Sequence, residues 1–200
     1  MIKKSRRYRI RERGVAALEA AIILPVAVFM VFACVELYQY YRAAALLDRV
    51  AFTVANGVAM QRELFNQGKC DQSNDVCVYG QIAQDLFQPL DYGSNGSMVI
   101  SAFAATEPDE KGSVSWKSQT EWRVFFKGTA SAQPDPVSRL VDSSAFPQAK
   151  VGDTIIVAEG FYDYIPFAMS STFWASLAGT SQIYSRFFFR PRFDDLRVLR

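Results

Sequence analysis

Between Val15 and Val35 the chain reads VAALEAAIILPVAVFMVFACV, a run in which Glu19 is the single charge. As an α-helix these residues rise about 31 Å, which matches a hydrocarbon core of roughly 30 Å. The pattern predicts a membrane-spanning helix. After Glu36 polarity increases but a helical period persists, with Leu37, Tyr41, Ala44, Leu47, Ala51, Val54 and Val58 on one side and Arg42, Arg49, Thr53, Asn56 and Glu63 on the other. No Gly or Pro falls between Val26 and Asn56. The reading is one helix over about residues 15–65, spanning the membrane in 15–35 and bent where Pro25 removes a backbone donor.

Residues 66–79 are rich in Gly, Asn, Asp, Ser and Gln, contain Cys70 and Cys77, and read as a loop. Ile82, Ala83, Leu86 and Phe87 predict a short amphipathic helix ending before Pro89. Strand-like runs follow at 98–104, 113–116, 121–126, 154–164 and 182–190, separated by turn-rich segments. In the last run Ile183, Ser185, Phe187 and Phe189 alternate with Tyr184, Arg186, Phe188 and Arg190. Residues 167–177 fit either a short helix or an ordered loop. The expected fold is α+β, pilin-like: a long N-terminal, partly transmembrane helix packed on an antiparallel sheet. It divides into a basic leader at 1–14, the helix at 15–65 and an α+β domain at 66–200.

Half of the 200 residues are hydrophobic, so the chain can build a core. Histidine is absent, which removes the usual general base, the Ser-His and Cys-His pairs and the commonest metal ligand. Three cysteines are too few for a four-ligand zinc site. No enzyme activity, cofactor or metal is expected. The net charge of +2 hides an uneven distribution: Lys3, Lys4, Arg6, Arg7, Arg9, Arg11 and Arg13 oppose Glu12 alone, and the remainder is acidic. A basic arm can bind nucleic acid. Set directly before an apolar helix it instead orients that helix, placing the N-terminus in the cytoplasm and the bulk of the chain outside, with no nucleic-acid partner.

The most informative cluster is Arg13-Gly14-Val15-Ala16-Ala17-Leu18-Glu19. A carboxylate inside a membrane helix costs about 2.5–3.5 kcal/mol on insertion scales, so something must offset it. Cutting after Gly14 would create an α-amino group at Val15, and i,i+4 spacing puts that cation on the face of Glu19. Small, flexible Gly14 also lets a protease approach the scissile backbone.

These residues resemble the type IV prepilins: a short basic leader, Gly before the cut, Glu at the fifth mature position and an uninterrupted apolar helix. Many type IV prepilins carry Phe where this chain has Val15. The form GVAALEAAIILPVAVFMVFACVELYQYYRAA looks more like the TadE/TadF minor pseudopilins of the tight-adherence (Flp) pilus system. VGDTIIVAEGFYDYIPF and SRFFFRPR near the C-terminus are similar to that family's pattern, whereas residues 66–145 match nothing in it. The resemblance implies a substrate rather than a catalyst. A prepilin peptidase would cleave between Gly14 and Val15, and Glu19 would pair with an amino-terminus. The freed helix would pack on other pilin-like subunits, the major Flp pilin and a second TadE/TadF-like pseudopilin, in the inner membrane. Pro25 lies in this helix, and Ala16, Ala17, Ala20 and Ala21 offer close helix approach. Length favours a minor subunit.

Other readings stay open. Glu19 can be a shallow charge tolerated beside Arg13. Residues 1–33 can be a secretory signal, or a lipoprotein signal ending at Val31-Phe32-Ala33-Cys34. The corresponding alternative is a membrane- or lipid-anchored periplasmic binding or scaffold protein that never enters a filament. In an exported domain a Cys70–Cys77 bridge is expected, while Cys34 reads as a small apolar residue. Glu159 and Asp163 share a strand face but stand some 13 Å apart at about 3.3 Å per residue. That is too far for paired glycosidase carboxylates, and a structural role is expected. Trp116, Trp122, Tyr162, Tyr164 and Trp174 read as core or interface aromatics.

Overall fold

A computed structural model describes residues 5–110, 112–128, 136–140, 146–166, 182–193 and 195–200, with side chains from residue 17 onward. The first helix, α1 (Ser5–Ala59), is continuous through Pro25. It already includes residues 5–14, most of the segment expected as a leader, and it closes before residue 65. Two short helices follow, α2 (Val76–Leu86) and α3 (Tyr92–Asn95), and then four strands: β1 (Gly96–Ala104), β2 (Trp122–Lys127), β3 (Thr154–Asp163) and β4 (Gln182–Phe189). The strands form one antiparallel sheet in the order β2-β1-β3-β4. The protein is therefore α+β, a long N-terminal helix laid on an antiparallel sheet.

Helix α1 lies along one face of the sheet. Ala43, Leu47, Val50, Val54 and Val58 on the helix meet Met98, Ile100 and Ala102 of β1, Ile156, Ala158 and Tyr162 of β3, and Ile183 of β4 in one core. The approach is closest at Gly160, where a Cβ would stand 2.8 Å from Leu47 Cδ1. On the opposite face, alternate residues Phe103, Ile155 and Val157 pack with Trp116, Phe146 and Phe188. Both faces of β3 are thus covered, which is why its burial is continuous from Thr154 to Tyr162 rather than alternating.

Several local expectations shift. The packed side of α1 passes through Glu36, Ala43, Leu47 and Val50, whereas Leu37 and Tyr41 face outward at 47% and 64% exposure. The rest of the expected stripe holds, with Leu47, Ala51, Val54 and Val58 fully buried; it departs at its start because Glu36 turns inward to Tyr164. The helix stops at Ala59 because the C-terminal segment takes its end: Arg192 donates its backbone N–H to Ala59 O, Arg200 donates to Leu64 O, and Asn66 donates to Arg200 O. The segment read as a loop at 66–79 turns helical at Val76, where Asp75 caps α2 by accepting from Cys77 N. Residues 113–116 form no strand; Trp116 makes one bridge to Ala105. The segment 167–177 and Trp174 lie outside the described residues.

Candidate functional site

The candidate residues fall in two regions of α1: its N-terminal third and the point where it meets the domain. Gly14 and Val15 lie inside the continuous helix, so the proposed scissile bond is helical backbone here. From Ala17 to Phe32 every side chain is exposed, including Leu18, Ile22, Ile23, Leu24, Val26, Phe29 and Met30. The most apolar stretch has a mean hydropathy of 2.5 with none of it buried. Glu19 sits exposed on this surface, beside a shallow depression formed with Ala20, Ile23, Leu24 and Ala27. Ala17, Ala20 and Ala21 are likewise exposed, while the side chain of Ala16 is outside the described set. Pro25 stands mid-helix within the exposed stretch. Cys34 is an exposed free thiol on the same helix.

The character of the helix changes at Glu36. Its side chain is wholly buried, and its carboxylate accepts a 2.7 Å hydrogen bond from the Tyr164 hydroxyl. The Tyr164 ring also meets Tyr40 edge-on, centroids 5.5 Å apart. Burial, and next the hydrogen bond to Glu36, push the Tyr164 phenol well above its ordinary value. The residue following β3 is thereby fastened to the first polar position after the apolar run. In the sequence Glu36 marks only where polarity rises; its pairing with an aromatic so far along the chain has no local signal.

Residues 14–56 match the TadE-like protein family. This stretch is a TadE-like domain. It begins at the Gly before the proposed cut and ends within the part of α1 packed on the sheet. No curated protein and no solved structure matches the chain. The TadE-like family is related to the Tad pilus, is pilin-like and generally non-enzymatic, and implies association with the Tad pilus machinery. The one N-terminal apolar helix fits a single membrane anchor or signal.

Outside the TadE-like domain, two polar clusters hold loops in place. Asp75, buried, accepts backbone N–H bonds from Gln67, Lys69 and Cys77 at 2.9–3.0 Å. Burial would raise its carboxyl, but these three donors hold it below the ordinary aspartate value. The same loop is closed by a Cys70–Cys77 disulfide, Cα atoms 4.9 Å apart. Glu159, on the sheet face away from α1, accepts from Ser138 Oγ, from Arg139 N at 2.9 Å and from the Tyr184 hydroxyl at 2.8 Å. Arg139 stacks over Phe161 and Tyr184. Asp163, by contrast, accepts from Gln182 at the strand end. The two carboxylates point to separate partners and form no pair. Among the described residues no cluster of His, Cys, Asp and Glu suits a metal ion.

Proposed function

We propose that the protein is a minor pseudopilin of a tight-adherence (Flp/Tad) pilus, matured by a prepilin peptidase after Gly14 and acting in pilus assembly, priming or regulation. The observation that carries this reading is the division of α1: exposed and apolar from Ala17 to Phe32, then packed on its own sheet from Glu36 onward. The exposed part needs lipid or other helices, which is what a pilin-like helix has before and after assembly. In this reading the basic residues stay in the cytoplasm and the sheet domain is periplasmic, reaching the cell surface when a pilus is built. The new amino-terminus at Val15 pairs with Glu19, and Ala16, Ala17, Ala20 and Ala21 let the major Flp pilin or a second TadE/TadF-like subunit come close. The Cys70–Cys77 bridge suits an exported domain.

The test is the N-terminal mass of the protein recovered from cells. A mature chain beginning at Val15 supports the reading. An acylated Cys34 would replace it with a lipid-anchored periplasmic protein, and a chain still beginning at Met1 with an uncleaved anchor.

A further inference from the structure

Tyr164 marks which end of the sheet lies nearest the apolar helix. Strand β3 runs antiparallel to α1 in space: Gly160 lies over Leu47, and four residues on Tyr164 reaches Glu36. Asp163 pairs with Gln182, and Tyr162 with Gly96, so the start of β4 and the start of β1 share this end. The other end, at Thr154 and the preceding turn with Val151, is about 30 Å away at about 3.3 Å per residue.

Among the described residues, the helix side of the near end is aromatic and apolar. Tyr38 and Tyr41 are 64% exposed and Ile165 is 66% exposed, with Tyr40 between them on the ring of Tyr164. Because Glu36 turns inward, the one exposed charge on α1 from Ala20 to Leu47 is Arg42. Residues 36–41 rise roughly 9 Å, which covers the interfacial layer of about 5–8 Å on each side of a hydrocarbon core. Tyrosines with an apolar body and a polar tip, an apolar Ile and a cation on the helix that can snorkel are groups a lipid interface takes up, with Asp91 and Asp163 of the sheet domain left at headgroup level.

We propose that Tyr38, Tyr40, Tyr41 and Ile165 form a collar that seats the sheet domain on the outer lipid interface, with the β3–β4 end down and the Val151 turn pointing away. The domain does not hang free on a tether, since the Glu36–Tyr164 bond fixes Ile165 beside the helix. The occupant is lipid because the collar is continuous with the apolar stretch of α1. This inference rests on the membrane-spanning reading of that helix and not on the pilus.

The experiment uses the full chain with Cys34→Ala, the disulfide left intact, and single substitutions Ile23→Cys, Ile165→Cys and Val151→Cys carrying an environment-sensitive nitrobenzoxadiazole label. Each is reconstituted in vesicles of phosphatidylethanolamine and phosphatidylglycerol. The expected result is loss of iodide quenching at positions 23 and 165 but not at 151, with the label at 165 quenched by a headgroup nitroxide lipid. Iodide access at 165 equal to that at 151, with 23 still shielded, overturns the collar alone. A label at 165 shielded from iodide but untouched by the nitroxide lipid overturns it in favour of a protein neighbour. Iodide access at 23 as well overturns the membrane-spanning reading beneath it.

Discussion

The Tyr164 hydroxyl stands 2.7 Å from a carboxylate oxygen of Glu36, joining two residues separated by 128 positions in the chain. Glu36 is fully buried, so its donors replace water, and removing one leaves a charged acceptor short by a strong hydrogen bond. Tyr164→Phe is expected to destabilise the protein by about 1.5–3 kcal/mol, the range for hydrogen bonds to charged groups. Thermal unfolding of the full chain in detergent, followed by circular dichroism, measures it. An unchanged midpoint would show that the junction is held by packing alone.

The close approach of helix to sheet makes a second prediction. A Cβ at Gly160 would meet Leu47 Cδ1 at 2.8 Å and Cγ at 3.3 Å. Gly160→Val therefore overpacks the core, at about 1–3 kcal/mol. Leu47→Ala alone leaves a cavity and costs about 2–5 kcal/mol. Combined, the two changes relieve each other and destabilise by less than their sum. Strict additivity in denaturant titrations would mean that α1 and β3 do not meet at this point.

What could be read from the chain beforehand followed how local each signal is. The apolar run around Glu19 and the strands with long apolar stretches, such as 154–164, stand out within a few residues of sequence. The phase of α1 was legible from Leu47 onward, where Leu47, Ala51, Val54 and Val58 of the expected stripe are buried, but not before it: Leu37 and Tyr41 have the right spacing, yet Glu36 is the buried neighbour because a tyrosine from the far end of the chain satisfies it. The close of α1 at Ala59 depends on backbone bonds from Arg192 and Arg200, and backbone groups leave no trace in side-chain patterns. Trp122 is similar, its indole N–H donating to Leu196 O across the molecule. The strand order β2-β1-β3-β4 is set by such distant contacts and not by alternation within any strand.

Two kinds of titrating group bound the pH range of stability. Asp75 is held below the ordinary aspartate value of 3.8, so its contribution is present above that value and is lost as pH falls through the lower folded one. Tyr164 and Tyr184 are raised by burial and then by their carboxylate partners Glu36 and Glu159. Their contribution is complete below the ordinary phenol value of 10.0 and is lost as pH rises beyond it. Unfolding midpoints across pH, compared with Asp75→Asn, check the acid side. Wild type is expected to lose more stability than the variant below pH 3.8. Parallel acid limbs would remove Asp75 as the cause.

Glu19 is exposed on the apolar surface of α1, four residues after Val15, a rise of about 6 Å. Left alone in lipid, its carboxylate costs about 2.5–3.5 kcal/mol on insertion scales, and an amino group released at Val15 would supply the missing cation. If that pairing acts in assembly rather than in recognition by the peptidase, Glu19→Val leaves cleavage after Gly14 largely intact and stops filament formation. Glu19→Gln, which keeps an acceptor but not the charge, is expected to retain only part of it. Mature size on a gel and filament counts by electron microscopy separate the two steps. Normal filaments from the Glu19→Val strain would sink the pairing and leave the helix as an anchor. A block in cleavage would instead place Glu19 in the peptidase's recognition of the leader, because a residue acting only after the cut cannot affect it.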